Sequence, residues 1–179
     1  MFLYNDALYV PALHIFSPYA NVRAVTPLLL AIDLGKLRNA ELLISRGADV
    51  NLCDSNGRTP LLAISKSSSY NLTALLATLV SKGANVNSKD QDDMTPLHYA
   101  SAGAMTDMVS FFINAGADVN AKSRTASTPL HLVCDNGAKP DSIRCARMLV
   151  ENGAFINLST CTYIHHSNAY FHIYSKELI

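Results

Sequence analysis

Tryptophan is absent, and no apolar run approaches the roughly 18 residues that span a bilayer, although 49% of the 179 residues are hydrophobic. The apolar side chains are spread out for burial in a packed interior rather than gathered for lipid. Charge is scarce and balanced. Fourteen basic and 14 acidic residues leave a formal net charge of zero, so no excess of either sign points to nucleic acid or an anionic membrane. Cys53, Cys134, Cys145 and Cys161 form no C-x-x-C pair, which fits reduced thiols in the cytoplasm or nucleus. The N-terminal MFLYNDALYV is apolar but lacks a basic start and contains Asp6, so it is not read as a signal peptide. A Gly-rich phosphate loop, G-x-S-x-G and H-E-x-x-H are all missing. The chain is therefore read as non-enzymatic and without a cofactor.

What the sequence has is repetition. Thr-Pro-Leu occurs at 26–28, 59–61, 95–97 and 128–130, and Gly-Ala-x-Val/Ile-Asn at 47–51, 83–87, 116–120 and 153–157. The first three Gly residues each precede the next Thr by 12 positions, whereas each Thr precedes its own Gly by 21, 24, 21 and 25. A fixed spacing on one side and a variable one on the other describes a rigid joint alternating with a segment that accepts insertions. Thr before Pro suits a helix start: the hydroxyl accepts from an orphan N–H, and Pro in the first turn gives up no needed donor. Helices are thus expected to open at Pro27, Pro60, Pro96 and Pro129. Leu72, Leu75, Leu76, Leu79 and Val80 fall at i, i+3, i+4, i+7 and i+8, one buried stripe of a second helix. Gly47, Gly83, Gly116 and Gly153 stand where a left-handed residue ends that helix. Two short helices cannot cover both apolar faces alone, so neighbouring units must stack.

Thr95-Pro96-Leu97-His98-Tyr99-Ala100 and Gly116-Ala117-Asp118-Val119-Asn120, on a period of about 33 residues, resemble the ankyrin repeat family. The resemblance implies an all-α solenoid of stacked helix-turn-helix units with projecting β-turn fingers. It covers residues 23–157, with repeats at about 23–51, 52–87, 88–120 and 121–157. Residues 1–22 are read as a degenerate N-terminal cap or partial repeat. Residues 158–179 are read as a degenerate fifth repeat or tail, with His165-His166-Ser167-Asn168 where Thr-Pro-Leu-His would fall. The histidines there are irregularly spaced and are not read as a metal site. In the family the His after Thr-Pro-Leu bonds around its own Thr, so Leu29 and Leu62 imply that units one and two lack this link, at a cost of about 0.5–1.5 kcal/mol each.

Departures mark particular units. Unit two inserts residues around Lys66-Ser67-Ser68-Ser69-Tyr70, read as a longer loop, and unit four inserts Ala138-Lys139-Pro140-Asp141, where Pro140 is expected to set up the next helix. Ala104 replaces the turn Gly, with Gly103 beside it, so a shifted turn is expected. Phe111 and Phe112 are read as core. Asp54, Asp90, Asp92 and Asp93 are read as a solvated acidic turn, without the Asp spacing and closing Glu of a calcium loop. Only Gly57 keeps the Gly two before its Thr; Ala24, Asp93 and Ala126 replace it, leaving the finger shapes open.

The resemblance also implies where a protein partner would touch: the positions four, three and one before each Thr, and seven and eight after it. These are Arg23, Val25 and Asp33; Ser55, Asn56, Arg58, Lys66 and Ser67; Gln91, Asp92, Met94 and Ala102; and Arg124, Thr125, Ser127, Asp135 and Asn136. Arg58, then Asp90, Asp92 and Asp93, then Lys122 and Arg124 make a basic, acidic, basic edge suited to a partner of inverse charge. The expected function is a monomeric protein–protein interaction module or adaptor that binds an unidentified protein through its concave face and finger tips, with no nucleic acid and no membrane. The alternatives are a fragment of a larger multi-domain ankyrin protein or a substrate of asparagine hydroxylation. Asn51, Asn87, Asn120 and Asn157 resemble positions hydroxylated in some family members. Leu43, Leu79 and Leu149 stand eight residues before three of them, and Phe112 departs.

Overall fold

The computed structural model describes residues 25–67, 73–137 and 139–156. Among them are eight helices in four pairs: α1 (Pro27–Asp33) with α2 (Leu37–Ser45), α3 (Pro60–Lys66) with α4 (Thr73–Ser81), α5 (Pro96–Ala102) with α6 (Thr106–Asn114), and α7 (Pro129–Asp135) with α8 (Pro140–Glu151). Each first helix opens at the Pro of a Thr-Pro step. Thr26 Oγ1 accepts from the Leu29 N–H at 3.1 Å, and Thr59 Oγ1 from Leu62 N–H at 3.3 Å, the side-chain cap that an extended N-cap residue supplies. The described residues contain no strand.

Pairs lie in single file. First helices stack on first helices, α1 on α3, α3 on α5 and α5 on α7, while α6 packs on α8 and each first helix packs on its own second helix. The buried residues form one continuous core running through all four pairs. Leu75, Leu76 and Leu79 from α4 and Phe112 from α6 are almost wholly enclosed. Phe111, half-buried, meets Phe112 edge to face with centroids 5.6 Å apart, so the aromatic pair is core, as expected. Leu72 lies outside the described residues.

Gly47, Gly83, Gly116 and Gly153 have φ between +84° and +87°, and close each second helix in the left-handed conformation that glycine adopts without strain. The turn expected to shift in unit three does not. Gly103 has φ −86° and Ala104 itself takes φ +49°, a conformation that costs an L-residue about 1–2 kcal/mol. A Cβ on Gly103 would lie 2.8 Å from Met105 Cε, so this glycine makes room for the methionine rather than supplying the turn.

Pro140 of the unit-four insertion sets up the next helix, as expected. Pro140 takes the first position of α8, and the helix runs 12 residues against nine for α2, α4 and α6, so the extra residues mostly extend the helix. In unit two Lys66 closes α3. The remainder of that insertion, Ser68 to Tyr70, lies outside the described residues, as do residues 1–22 and 158–179.

Leu79 is fully buried at the centre of the array. Leu79→Ala is expected to lower unfolding free energy by about 2–5 kcal/mol, the cost of an enclosed cavity. Urea melts read the change, and an unaltered midpoint would contradict this packing.

Candidate partner-binding edge

The joint between units is built the same way three times. Asn51 Nδ2 donates to the Gly83 carbonyl at 3.0 Å while its Oδ1 accepts from the Asn85 N–H at 2.9 Å. Asn87 does likewise with Gly116 (3.3 Å) and Asp118 (2.8 Å), and Asn120 with Gly153 (2.9 Å) and Phe155 (2.7 Å). Each amide thus clasps the next unit through both ends. Asn51 and Asn87 are exposed residues and Asn120 half-buried, because the clasp sits where the joint leaves the stack. Asn157 lies outside the described residues.

Between clasp and helix, each finger is pinned by the residue five before its Thr. Asp54 Oδ1 accepts from the N–H groups of Asn56 and Arg58 at 2.9 and 3.0 Å. Asp90 Oδ1 accepts from Asp92 and Met94, both at 3.0 Å, and Ser123 Oγ accepts from Ser127 N–H at 3.2 Å. Side chains of this kind hold a turn by bonding backbone a few residues on. Asp54 is 5% exposed and Asp90 half-buried, so these two are internal braces rather than a solvated acidic turn. Among the described residues no group of three or more His, Cys, Asp or Glu is placed to hold a metal ion.

The three fingers also share one shape despite different residues two before Thr. Gly57, Asp93 and Ala126 have φ of +74°, +57° and +60°. Only Gly57 is crowded: a Cβ there would stand 3.3 Å from Asp90 Cα, because the next finger packs against it. The tips are joined by backbone bonds, Gln91 N–H to Asn56 O at 3.1 Å and Arg124 N–H to Asp92 O at 2.8 Å.

The His of units three and four does what the resemblance implies. His98 is fully buried; its Nδ1 accepts from Thr95 N–H at 3.1 Å and stands 2.8 Å from Thr95 Oγ1, and Nε2 donates to Ser127 O at 3.1 Å. His131 Nδ1 is placed identically around Thr128. The arrangement requires neutral imidazole with the proton on Nε2. In unit two buried Leu62 replaces the ring, and Thr59 Oγ1 reaches Ser88 Oγ at 3.1 Å in the next unit instead.

The positions expected from the sequence to meet a partner divide into those tied to a neighbouring unit and those left facing solvent. Arg58 is tied: its guanidinium forms a two-pronged pair with Asp33 at 2.9 and 2.7 Å and reaches Asp54 at 3.1 Å, and its pKa is raised, first by the Asp33 hydrogen bond and then by Asp54, against an opposing effect of burial. Gln91 Nε2 donates to Ser55 O at 2.7 Å, and Asn136 Nδ2 to the Ser101 carbonyl at 3.2 Å. Val25 packs half-buried on the core. Ser127 is half-buried, with its carbonyl held by His98. Facing solvent are Lys66, Asp92, Ala102, Arg124, Thr125 and Asp135, with Asn56, Ser67 and Met94 half-buried. Lys66 Nζ lies 5.4 Å above the Tyr99 ring, whose hydroxyl donates to Asp90. Asp92 and Arg124 stand 3.9 Å apart across two fingers, each mostly exposed. Arg23 lies outside the described residues.

Asp54, Asp90 and Ser123 were not singled out as braces by sequence, although an acceptor five before each of three Thr residues is a readable signal. Burial also shapes the thiols: Cys145 is enclosed and pushed up to about 11. No helix among the described residues is long and apolar enough to cross a membrane.

A family model described as ankyrin repeats (3 copies) matches residues 7–90 and 63–160. No curated protein matches the chain.

Burial is the largest influence on His98 and lowers its pKa, and burial lowers that of His131. The folded chain therefore binds fewer protons than the unfolded chain below about pH 6.5. Stability is expected to be fully present above that pH and to fall as the medium is acidified through the lowered folded values. Urea midpoints measured from pH 8 to pH 5 check this, and a flat profile would contradict it.

Proposed function

The chain belongs to the ankyrin repeat family, and on that premise we propose that it is a protein–protein interaction module whose partner binds along the finger tips and the adjoining ends of the first helices. Ankyrin repeats are generally such modules. The observation that carries the reading here is the tip-to-tip bonding of the fingers, Gln91 to Asn56 and Arg124 to Asp92. Side chains mounted on a bonded edge lose little further freedom when a partner arrives, so more of the contact energy appears as affinity.

The candidate contact set narrows accordingly. Lys66, Asp92, Met94, Arg124, Thr125 and Asp135 remain available on this reading, whereas Arg58 serves first to hold units one and two together. Asp92 and Arg124 pair only loosely and in the open, where such a bridge contributes about 1 kcal/mol or less, so a partner of complementary charge can replace it. The modification reading has less behind it: both ends of the Asn51 and Asn87 amides are bonded to the next unit, and a hydroxylase would have to draw them out. Mass spectrometry of cell-derived protein showing no added oxygen would count against that reading.

Asp92→Lys, Met94→Ala and Arg124→Glu combined are expected to weaken capture of a cognate protein by about tenfold or more, a loss of about 1.4 kcal/mol, with the helical circular-dichroism signal unchanged. Undiminished capture would refute the surface named here.

A further inference from the structure

The tip of the finger formed by residues 121–127 gathers hydroxyls and cations in a way the joint does not require. Thr125 Oγ1 lies 3.0 Å from Ser123 Oγ and 3.2 Å from Ser127 Oγ. Ser123 is buried and braces the turn and Ser127 is half-buried, whereas Thr125 is exposed. Lys122 and Arg124 flank it, both exposed, and Lys89 crosses from the preceding joint to donate from Nζ to the Lys122 carbonyl at 3.3 Å. Thr125 is thus an exposed residue whose hydroxyl lies between two serine hydroxyls, with cations three and one residues before it and a third cation brought by the neighbouring unit.

We infer that Thr125 is a phosphoacceptor for a basic-directed protein kinase, and that phosphate there switches the finger of residues 121–127. The reaction transfers the γ-phosphoryl group of ATP. A P–O bond forms to Thr125 Oγ1 as the bond from the γ-phosphorus to the bridging oxygen of ADP breaks, and the hydroxyl proton leaves to the kinase's base. Thr128 is no rival acceptor: it is half-buried where Thr125 is exposed, and its hydroxyl lies 2.8 Å from His131 Nδ1. The product adds a charge of about −1.5 to −2 beside Lys122, Arg124 and Lys89. Arg guanidinium prefers the fork of phosphate oxygens to a distant carboxylate, so Arg124 turns from Asp92, 3.9 Å away, toward the phosphate. That finger then changes from basic to near neutral beside the acidic finger of Asp90, Asp92 and Asp93. The acceptor site stands on this geometry alone; its effect on partner binding rests on the function proposed above.

The test uses the full 179-residue chain, ATP and a purified kinase that selects basic residues before its acceptor, with the site located by mass spectrometry. The expected product carries phosphate on Thr125, lost in Thr125→Ala and retained in Ser127→Ala. Absence of phosphate from Thr125, or its appearance at other hydroxyls instead, overturns the assignment. Phosphorus NMR then reads the second ionisation of the phosphate, ordinarily near pH 6. It is expected at least half a unit lower in the folded chain than in the unfolded chain in urea, and back toward the unfolded value in Arg124→Ala. A value equal in folded and unfolded chains overturns the switch. Neither failure alters the capture result expected for the unphosphorylated protein.

Discussion

An asparagine amide that bonds the next unit through both its oxygen and its nitrogen is the interaction on which this array's alignment depends. Asn51, Asn87 and Asn120 each place a donor on a glycine carbonyl and an acceptor on an N–H two residues further on. Two such bonds contribute about 0.5–1.5 kcal/mol each, far less than the burial of Leu75, Leu76, Leu79 and Phe112. Their importance is geometric. Apolar stacking is non-directional, and the clasp selects one register from the many in which greasy helix pairs could lean together.

From that register follows the edge proposed to meet a partner. With successive glycine turns held at a common angle, each finger falls beside the last. Gln91 can then bond the backbone of Asn56, and Arg124 that of Asp92. The braces at Asp54, Asp90 and Ser123 stiffen each finger from within. The electrostatics are settled locally even though the chain is neutral overall: Arg58 is neutralised by Asp33 and Asp54, while Arg124 and Asp92 remain largely in water. A neutral total therefore conceals an edge with distinct tied and available charges.

Much of this architecture was legible in the sequence, because Thr-Pro and Gly-Ala carry their structural reasons in single residues. Proline fixes the first turn, threonine caps it and glycine takes a positive φ, so the helix starts, stops and order could be read directly. The stripe through Leu79 was equally plain. Ala104 was harder, since it takes the left-handed turn at φ +49° although a glycine stands beside it, and spacing does not say which of the two residues turns. Asp54 and Asp90 read as solvent-facing charge because their acceptor role depends on N–H groups two and four residues on turning back toward them. The roles of the candidate positions were not legible. Arg58 and Arg124 look alike in sequence, and only the stacking of units brings Asp33 within 2.7 Å of the first and leaves the second loosely paired.

Native-state hydrogen exchange on the parent chain and on Asn87→Ala tests the clasp most directly, because the Asp118 N–H donates to Asn87 Oδ1 at 2.8 Å and reports on the joint between the second and third helix pairs. The account predicts that this amide exchanges about tenfold faster or more in the variant, and that α3 and α4 lose their common opening free energy with α5 and α6 as the array divides there. Unchanged protection at Asp118, with all four helix pairs still opening together, would contradict it.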